Sequence, residues 1–279
     1  RFIGLVEGRS AAVETLLGLL KPFYVLGPQD WTRLDHNLSM LDADERARLR
    51  AEVDELMFLW TVGVERAVDP AHPEAAARIA AAVDVCDKAL KFAGRDGPWL
   101  ELRARLLRKG GAEAAVGPAR PAPRDERSAL ACFQWGLLHS ASRDSEGAIE
   151  WLQRAVRIDW SNYWYQFYLG FLEDDFGLEA EALVQYDVAA AVKPDSPWVL
   201  FSRARLFHKK GAWDQAREDM ERALAMLGGR PESIRIRLEL GYVHQAMGDF
   251  PRARARYAEV LSAAPDGPFA RAARLNLAN

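Results

Sequence analysis

The chain offers three sets of residues whose types could carry out chemistry. Residues 33–37 (RLDHN) contain the residue types of a phosphotransfer catalytic loop, but in the wrong order and without a glycine-rich loop, a strand lysine or an Asp-Phe-Gly motif. The five histidines never stand four residues apart, the spacing that places two metal ligands on one helix face. Glu173, Asp174 and Asp175 are adjacent, so on a helix they point apart and cannot share a proton. We therefore predict no catalytic residue, no metal and no cofactor in this segment.

Composition argues against several other functions. The 37 basic and 40 acidic residues are interspersed and leave a net charge of -3, so we expect no nucleic-acid partner and no anionic membrane surface. No apolar run approaches the roughly 18 residues that a membrane-spanning helix needs. Cys86 and Cys132 are the only two cysteines, too few for a disulfide framework. We expect two buried thiols in the cytoplasm and no small-molecule substrate.

The elements that must position any functional residue recur along the chain. Ala148, Ala182 and Ala216 follow one another at intervals of 34 residues (182 minus 148, 216 minus 182), and Ala253 follows after 37 (253 minus 216). The longer interval is explained by three extra residues near Gly228. A fixed period of this length is typical of an array of helix-turn-helix repeats. Ala, Leu, Arg and Glu dominate the composition, as helices prefer.

One complete unit occupies residues 162–195. Its characteristic residues are Leu169, Gly170, Gly177, Ala182, Tyr186, Ala189 and Pro194. This order resembles the tetratricopeptide repeat, and the resemblance covers residues 128–279. It implies an all-α solenoid of antiparallel helix pairs, a right-handed superhelix, that binds a protein segment and has no chemistry of its own. At the aromatic position of the first helix the chain departs from the family pattern, with His139, Glu173, Phe207 and His244.

Proline, glycine and capping residues predict the boundaries of the elements. We expect an irregular leader with one short helix at 1–40, diverged helical repeats at 41–116, and a Pro/Gly linker at 117–123. The regular part, 124–279, contains units at 129–162, 163–196, 197–230 and 234–267 and a capping helix at 268–279. Asp42 and Glu45 predict a capping box for a helix that runs to about residue 68. Because residue 1 is Arg and not Met, we expect the chain to be part of a longer protein.

A second resemblance concerns the first 120 residues. They are similar to the segment that joins the catalytic domain to the repeats in certain bacterial serine/threonine protein kinases. The similarity rests on PFYVL at 22–26, DW at 30–31, LD at 41–42, ERARLR at 45–50 and EL at 55–56, and DSPW at 195–198 adds to it. None of these is a catalytic motif. The resemblance implies an alternative function, a regulatory or substrate-recruiting C-terminal region whose parent chain carries the phosphotransfer.

The tetratricopeptide resemblance also implies where a partner would bind. In the family, positions 2, 5, 9 and 12 of each first helix face a concave groove. With the neighbouring Lys209, the predicted partner-binding residues are Phe133, Leu137, Trp164, Phe167, Phe171, Asp174, Trp198, Phe201, Arg205, His208, Lys209, Arg235, Leu238 and Tyr242. Such a groove is aromatic with a basic end and would bind an apolar, partly acidic peptide or protein segment.

Two further hypotheses concern the partner of this groove and whether the groove is open. Phe133 and Leu137 occupy the places of the Lys and Asn with which chaperone-binding members hold a C-terminal carboxylate, so chaperone tails are not expected as partners. If neighbouring helices cover the rings, the chain would instead be a structural spacer.

Overall fold

The computed structural model describes residues 41–92, 97–112, 116 and 126–278. Every regular element in these ranges is a helix, which confirms the predicted all-α fold. The helices, numbered in chain order, are α1 Ala43–Ala67, α2 Ala75–Phe92, α3 Gly97–Lys109, α4 Ala129–Ala141, α5 Ser145–Ile158, α6 Tyr163–Asp175, α7 Glu179–Val192, α8 Pro197–Lys209, α9 Trp213–Leu227, α10 Ser233–Ala246, α11 Phe250–Ala263 and α12 Pro268–Ala278. The leader at 1–40, the linker at 117–123 and the motif at 33–37 lie outside the described residues.

The start of α1 follows from its capping residues. The Asp42 carboxylate accepts hydrogen bonds from the backbone N–H of Asp44 (2.9 Å) and of Glu45 (2.8 Å). The Glu45 carboxylate in turn accepts from the backbone N–H of Asp42 (3.3 Å), which completes the capping box. The helix ends at Ala67, one residue before the predicted end.

Helices α4 to α11 form four consecutive pairs with short turns. Gly177, Gly211 and Gly248 have φ of 75°, 74° and 77° at the turns within the last three pairs, the left-handed region that glycine enters without steric cost. In the first pair the corresponding turn contains Arg143, with φ of 61°. The recurring alanine that defines the period is buried in every pair. Each predicted regular unit thus contains one helix pair.

The described residues form two compact units, one up to Ile158 and the other from Asp159 onward. In the first unit, buried Asp54 of α1 accepts from Trp99 Nε1 of α3 (2.8 Å) and from Gln134 Nε2 of α4 (2.9 Å). Arg105 of α3 also donates to the carbonyl oxygen of Leu138 in α4 (2.9 Å). These bonds join the first regular pair to the N-terminal helices, so the division falls after α5 and not at the expected linker.

The second unit contains α6 to α12. Arg203 of α8 joins three of its helices, because the guanidinium lies 2.8 Å from the Asp187 carboxylate of α7 and 2.7 Å from the buried Asp219 carboxylate of α9. At the other end of the unit, Ala273 of α12 packs into a cluster with Tyr257 and other apolar residues of α10 and α11. Helix α12 therefore covers the apolar side of the last pair, as a capping helix does.

Candidate functional site

The candidate site lies on the first helices of the three pairs in the second unit. Helix α8 contacts both α6 and α10, so equivalent positions of these helices are neighbours. The start of α6 is fixed by the Asn162 side chain, which accepts from the backbone N–H of Trp164 (3.1 Å). Helix α8 begins with Pro197, which has no N–H to leave unpaired at that position, and Trp198 follows it. Positions in α10 are counted from Ile234, where the predicted repeat unit begins. We define the groove face as the following predicted residues at positions 2, 9 and 12 of α6, α8 and α10, with Lys209 beside them: Trp164, Phe171, Asp174, Trp198, Arg205, His208, Lys209, Arg235 and Tyr242.

The structure corrects five of the predicted groove residues. Position 5 is buried in each first helix of the second unit: Phe167 and Phe201 are each 1% exposed and Leu238 is 5% exposed. In the first unit, Phe133 and Leu137 are buried as well. The prediction that these five residues present an open surface to a partner is therefore wrong. They contribute to the core.

Neighbouring side chains explain this burial. The Phe167 ring lies 6.0 Å from the ring of Trp164, one turn earlier, and 6.0 Å from that of Tyr186 in α7. The Phe201 ring is covered from the following first helix, because the Arg235 guanidinium carbon lies 5.5 Å from its centroid. Position 5 thus stands where adjacent helices meet, whereas positions 2, 9 and 12 lie at the margins of that contact.

The other predicted residues of the second unit remain accessible. Four rings are partly exposed at positions 2 and 9. They are Trp164, Phe171, Trp198 and Tyr242. The polar members Asp174, Arg205, His208 and Arg235 are also partly exposed, and Lys209 is exposed.

The cations of the groove face differ in their partners. Lys209 Nζ lies 2.6 Å from Asp174 Oδ1 and 3.9 Å from Glu179 Oε1, so its charge is largely compensated. Arg235 lies over the Phe201 ring. The Arg205 guanidinium makes no hydrogen bond or ion pair within the residues that the structure describes. Arg205 is therefore the cation best placed to receive an acidic group.

Two phenols lie next to these charges. Burial raises the pKa of Tyr186 well above its ordinary value, and the nearby Asp174 carboxylate raises it further while Arg205 opposes the shift. Burial, with the negative charge of Glu239, also raises the pKa of Tyr242. Both side chains are neutral at physiological pH. The phenol of Tyr242, which is partly exposed, can therefore act as a hydrogen-bond donor.

Sequence reasoning missed Glu179 as a neighbour of the site. Its carboxylate comes from the first residue of α7, yet it lies 3.9 Å from Lys209 at the end of α8. The repeat register could have revealed this proximity, since the short turn puts the end of α6 next to the start of α7, and α8 packs beside α6.

The described residues contain no grouping of three or more His, Cys, Asp or Glu side chains that could hold a metal ion. Cys86 and Cys132 are buried free thiols. Burial raises the pKa of the Cys86 thiol, and raises that of Cys132 to about 11, so neither is a thiolate near neutral pH. His139 Nδ1, near the end of α4, lies 2.6 Å from Oδ2 of Asp144, which directly precedes α5. In the described part of the chain, no helix is long and apolar enough to cross a membrane.

Comparison with known proteins identifies the helix pairs. The tetratricopeptide repeat family matches residues 195–266, which hold α8 to α11. This part of the chain carries tetratricopeptide repeats. No curated protein matches the chain. Tetratricopeptide repeats are protein-interaction modules, and α4 to α7 form two further helix pairs before the matched region.

Several solved structures are similar to this chain. YrrB, described as a TPR protein with an unusual peptide-binding site, is 14% identical over 71% of this chain and 91% of its own, with a TM-score of 0.51. MamA from Desulfovibrio magneticus RS-1 is 14% identical over 65% of this chain and 94% of its own, with a TM-score of 0.48. TTC0263, a thermophilic TPR protein from Thermus thermophilus, is 21% identical over 73% and 91%, with a TM-score of 0.42. At these identities the likeness to YrrB shows the fold alone.

Proposed function

We propose that the groove face binds a peptide or protein segment through Trp164, Phe171 and Trp198, with an acidic group of the partner at Arg205. The observation that carries this proposal is the combination of partly exposed rings with an arginine that has no ion pair in the described chain. Tryptophan and arginine side chains are typical anchors of protein interfaces. The proposal agrees with the matched family, since tetratricopeptide repeats in general bind protein segments.

Two of the three rings are held in place by neighbouring rings before any partner binds. The Trp164 ring lies 4.7 Å from that of Tyr163 and 6.0 Å from that of buried Phe167. The Phe171 ring lies 6.2 Å from that of buried Tyr168. Side chains fixed in this way lose little conformational entropy on binding, so more of the contact energy appears as affinity.

Charge would orient the bound segment. Among the groove-face residues, the cations Arg205, Lys209 and Arg235 outnumber the single carboxylate of Asp174, and Lys209 is paired with that carboxylate. A guanidinium can bind a carboxylate through two parallel hydrogen bonds. We therefore expect an apolar residue of the partner over the α6 rings and an acidic residue next to α8.

The test begins with peptides selected from a displayed library on the full chain. We expect enrichment of sequences that place an acidic residue near apolar or aromatic ones. For one such peptide, Trp164→Ala should weaken binding by about 2 kcal/mol, roughly thirtyfold in Kd. Arg205→Ala should weaken binding and reduce its dependence on salt. Isothermal titration calorimetry at two ionic strengths measures both effects.

Trp213→Ala is the matched control, because Trp213 is also a partly exposed tryptophan of the second unit but starts a second helix, away from the groove face. It should leave the affinity unchanged. If all three variants bind equally well, the groove face is not the binding surface. If Trp164→Ala unfolds the chain, its ring belongs to the core and the spacer interpretation is favoured.

A second candidate function follows from the kinase-region resemblance. Of the segments that carry that similarity, LD and ERARLR provide the capping box and the first turns of α1, EL at 55–56 lies further along α1, and DSPW at 195–198 leads into α8. Under this hypothesis the groove face recruits substrates or regulators for a catalytic domain elsewhere in a longer chain. The reading frame upstream of Arg1 is the test: a kinase domain supports the hypothesis, and its absence excludes it.

A further inference from the structure

Helix α3 of the first unit and helix α8 of the second unit share a short sequence and the same kind of turn. Both contain RARL, at 103–106 and at 203–206. Two residues after each helix ends stands a glycine with positive φ, Gly111 at 77° and Gly211 at 74°. The backbone N–H that follows each glycine donates to the helix carbonyl five residues earlier, at 2.9 Å in both units. The two helices therefore end in the same way.

The correspondence extends to the helix that precedes each of them. The Arg103 guanidinium lies 2.6 Å from the Asp87 carboxylate of α2. The Arg203 guanidinium lies 2.8 Å from the Asp187 carboxylate of α7. Residues 100 positions apart thus occupy equivalent places in the two units (203 minus 103, 187 minus 87). The groove-face cations of α8 can therefore be compared with their counterparts in α3.

Arg105, the counterpart of Arg205, binds the last turns of two helices. One is α1, since the guanidinium lies 3.0 Å from Glu65 Oε1. The other is α4, because the guanidinium donates to the carbonyl oxygen of Leu138 and to the hydroxyl oxygen of Ser142, the C-cap, each at 2.9 Å. The carbonyl groups at the end of a helix carry the negative end of its dipole, so a guanidinium is suited to bind there.

The lysine one turn later behaves alike in both units. Lys109 donates to the carbonyl oxygen of Glu65, in the last turn of α1. Its counterpart Lys209 lies 2.6 Å from the carboxylate of Asp174, in the last turn of α6. Each lysine thus holds the end of an earlier helix. The arginines differ, because the α8 arginine makes no hydrogen bond or ion pair among the residues that the structure describes. The place that the end of α4 takes at α3 has no described occupant at α8.

Helix α4 runs in the same direction as α3. Near the start of α3, Trp99 and the α4 residue Gln134 donate to one carboxylate, that of Asp54 (2.8 and 2.9 Å). Near the end of α3, its arginine bonds to the last turn of α4. The contacts therefore follow one another in the same order along both helices. A helix placed in this way on α8 would lead from the arginine back to Trp198, which is partly exposed.

We propose that the segment bound at the groove face is an amphipathic α-helix of a partner protein that runs parallel to α8 and ends at Arg205, with a carboxylate in its last turn. This inference rests on the proposed function. The apolar side of the helix covers Trp198 and Phe171. Arg205 binds the last carbonyl groups together with the carboxylate, as Arg105 binds a carbonyl group and the Glu65 carboxylate.

The dipole of the bound helix determines its direction. A carboxylate in the last turn disfavours a free helix, because it lies at the negative end of the dipole. The guanidinium of Arg205 compensates both the carboxylate and the carbonyl groups, so binding stabilises the helix. An extended segment has no comparable dipole end to offer the arginine.

Two stapled helical peptides of about 14 residues, roughly four turns, are the probes for this arrangement. Both carry leucines along one face and blocked ends, and they differ only in a single glutamate, placed in the last turn or in the first turn. Isothermal titration calorimetry on the full chain measures their affinities. The peptide with the glutamate in the last turn should bind about tenfold more tightly, since only its glutamate and carbonyl groups meet the arginine together.

Variants of the chain assign this preference to one side chain. Arg205→Ala should abolish the difference between the two peptides. Arg254→Ala is the matched control, because Arg254 is an exposed cation of α11 outside the groove face, and it should keep the difference. Trp198→Ala should weaken both peptides by about tenfold. Circular dichroism verifies that every variant is folded.

The peptides selected from the displayed library give an independent measurement. They should gain helicity on binding, and a proline in the middle should abolish binding while a proline at the first helical position should not. Equal affinities of the two stapled helices would overturn the helix proposal. Selected peptides that depend on Trp164 and Arg205 but stay extended would overturn it and leave the proposed function standing. If no peptide responds to Trp164→Ala or Arg205→Ala, the groove face is not the binding surface and both proposals fail.

Discussion

Replacing Gly241 with alanine should disturb the contact between α10 and α11. A Cβ atom at this position would lie 2.4 Å from Cε1 and 2.8 Å from Cδ1 of Tyr257, closer than side-chain atoms approach. The Tyr257 ring cannot easily move away. It is buried, its hydroxyl donates to Gln245 Oε1 (2.8 Å), and it lies 6.0 Å from the Tyr242 ring.

Two opposing effects determine the size of the change. Alanine is favoured over glycine inside a helix by about 1 kcal/mol. Overpacking of a well-filled core costs about 1 to 3 kcal/mol. The clash at Gly241 is with a ring that is held on two sides. We therefore expect the overpacking cost to exceed the gain in helix propensity, and the free energy of unfolding to fall by about 1 to 2 kcal/mol. At Gly170 the nearest atom is Gln185 Cβ at 3.0 Å, so Gly170→Ala should change the stability less.

Urea unfolding followed by circular dichroism measures this difference. Gly241→Ala should lower the midpoint without changing the slope. In the Tyr257→Leu background the same substitution should cost less, since the ring that it meets is gone, and a double-mutant cycle gives the coupling. If Gly241→Ala instead stabilises the chain by the full helix-propensity difference, the close approach of α10 and α11 is refuted.

Three further predictions concern the second unit. Phe201→Ala should destabilise it by about 3 to 5 kcal/mol, since the ring is buried; a thermal melt like that of the parent would contradict this. Burial lowers the pKa of His244, with Asp249 opposing the shift, so the unfolded chain takes up the proton first and stability should fall as the pH drops below about 6.5. His244→Leu should flatten that pH dependence in urea titrations. Ending the chain at Pro265 should expose the cluster that α12 covers and promote aggregation, measurable by light scattering; a monomeric truncation of parental stability would exclude the capping role.

The repeat architecture could be predicted because its determinants are local. The turn glycines Gly177, Gly211 and Gly248 mark left-handed positions that few other residues adopt, and each lies between the two helices of a pair. Asp42 and Glu45 are three residues apart and form their capping box within a single turn. Interactions between residues so close in sequence can be predicted from the local residue pattern alone.

The division into units could not be predicted, because it depends on contacts between distant residues. Asp54 bonds to Trp99, 45 residues later, and to Gln134, 80 residues later. A single buried carboxylate in a long helix gives no indication of which partners it will meet. The composition of residues 117–123 predicts a linker, but it does not predict which helices pack together.

The exposure of groove residues was predicted only in part for a related reason. Helical periodicity assigns a side chain to a face of its own helix, but the neighbouring helix decides whether that face is covered. Phe201 and Trp198 lie on the same side of α8, and only Phe201 meets the guanidinium of Arg235 from α10. From the sequence alone, an aromatic residue at these positions could therefore belong either to the core or to an exposed binding surface.

The two arginines of the groove face consequently have different functions in the binding proposal. Arg235 lies over a buried ring, so a substitution there changes packing as well as charge, and an incoming carboxylate would compete with its contact to Phe201. Arg205 has no hydrogen bond or ion pair in the described chain, and the nearby Asp174 carboxylate is already bound to Lys209. A partner carboxylate at Arg205 would therefore gain a charge-assisted contact without displacing an existing one. For this reason the acidic specificity of the proposed site depends on Arg205 more than on the basic end as a whole.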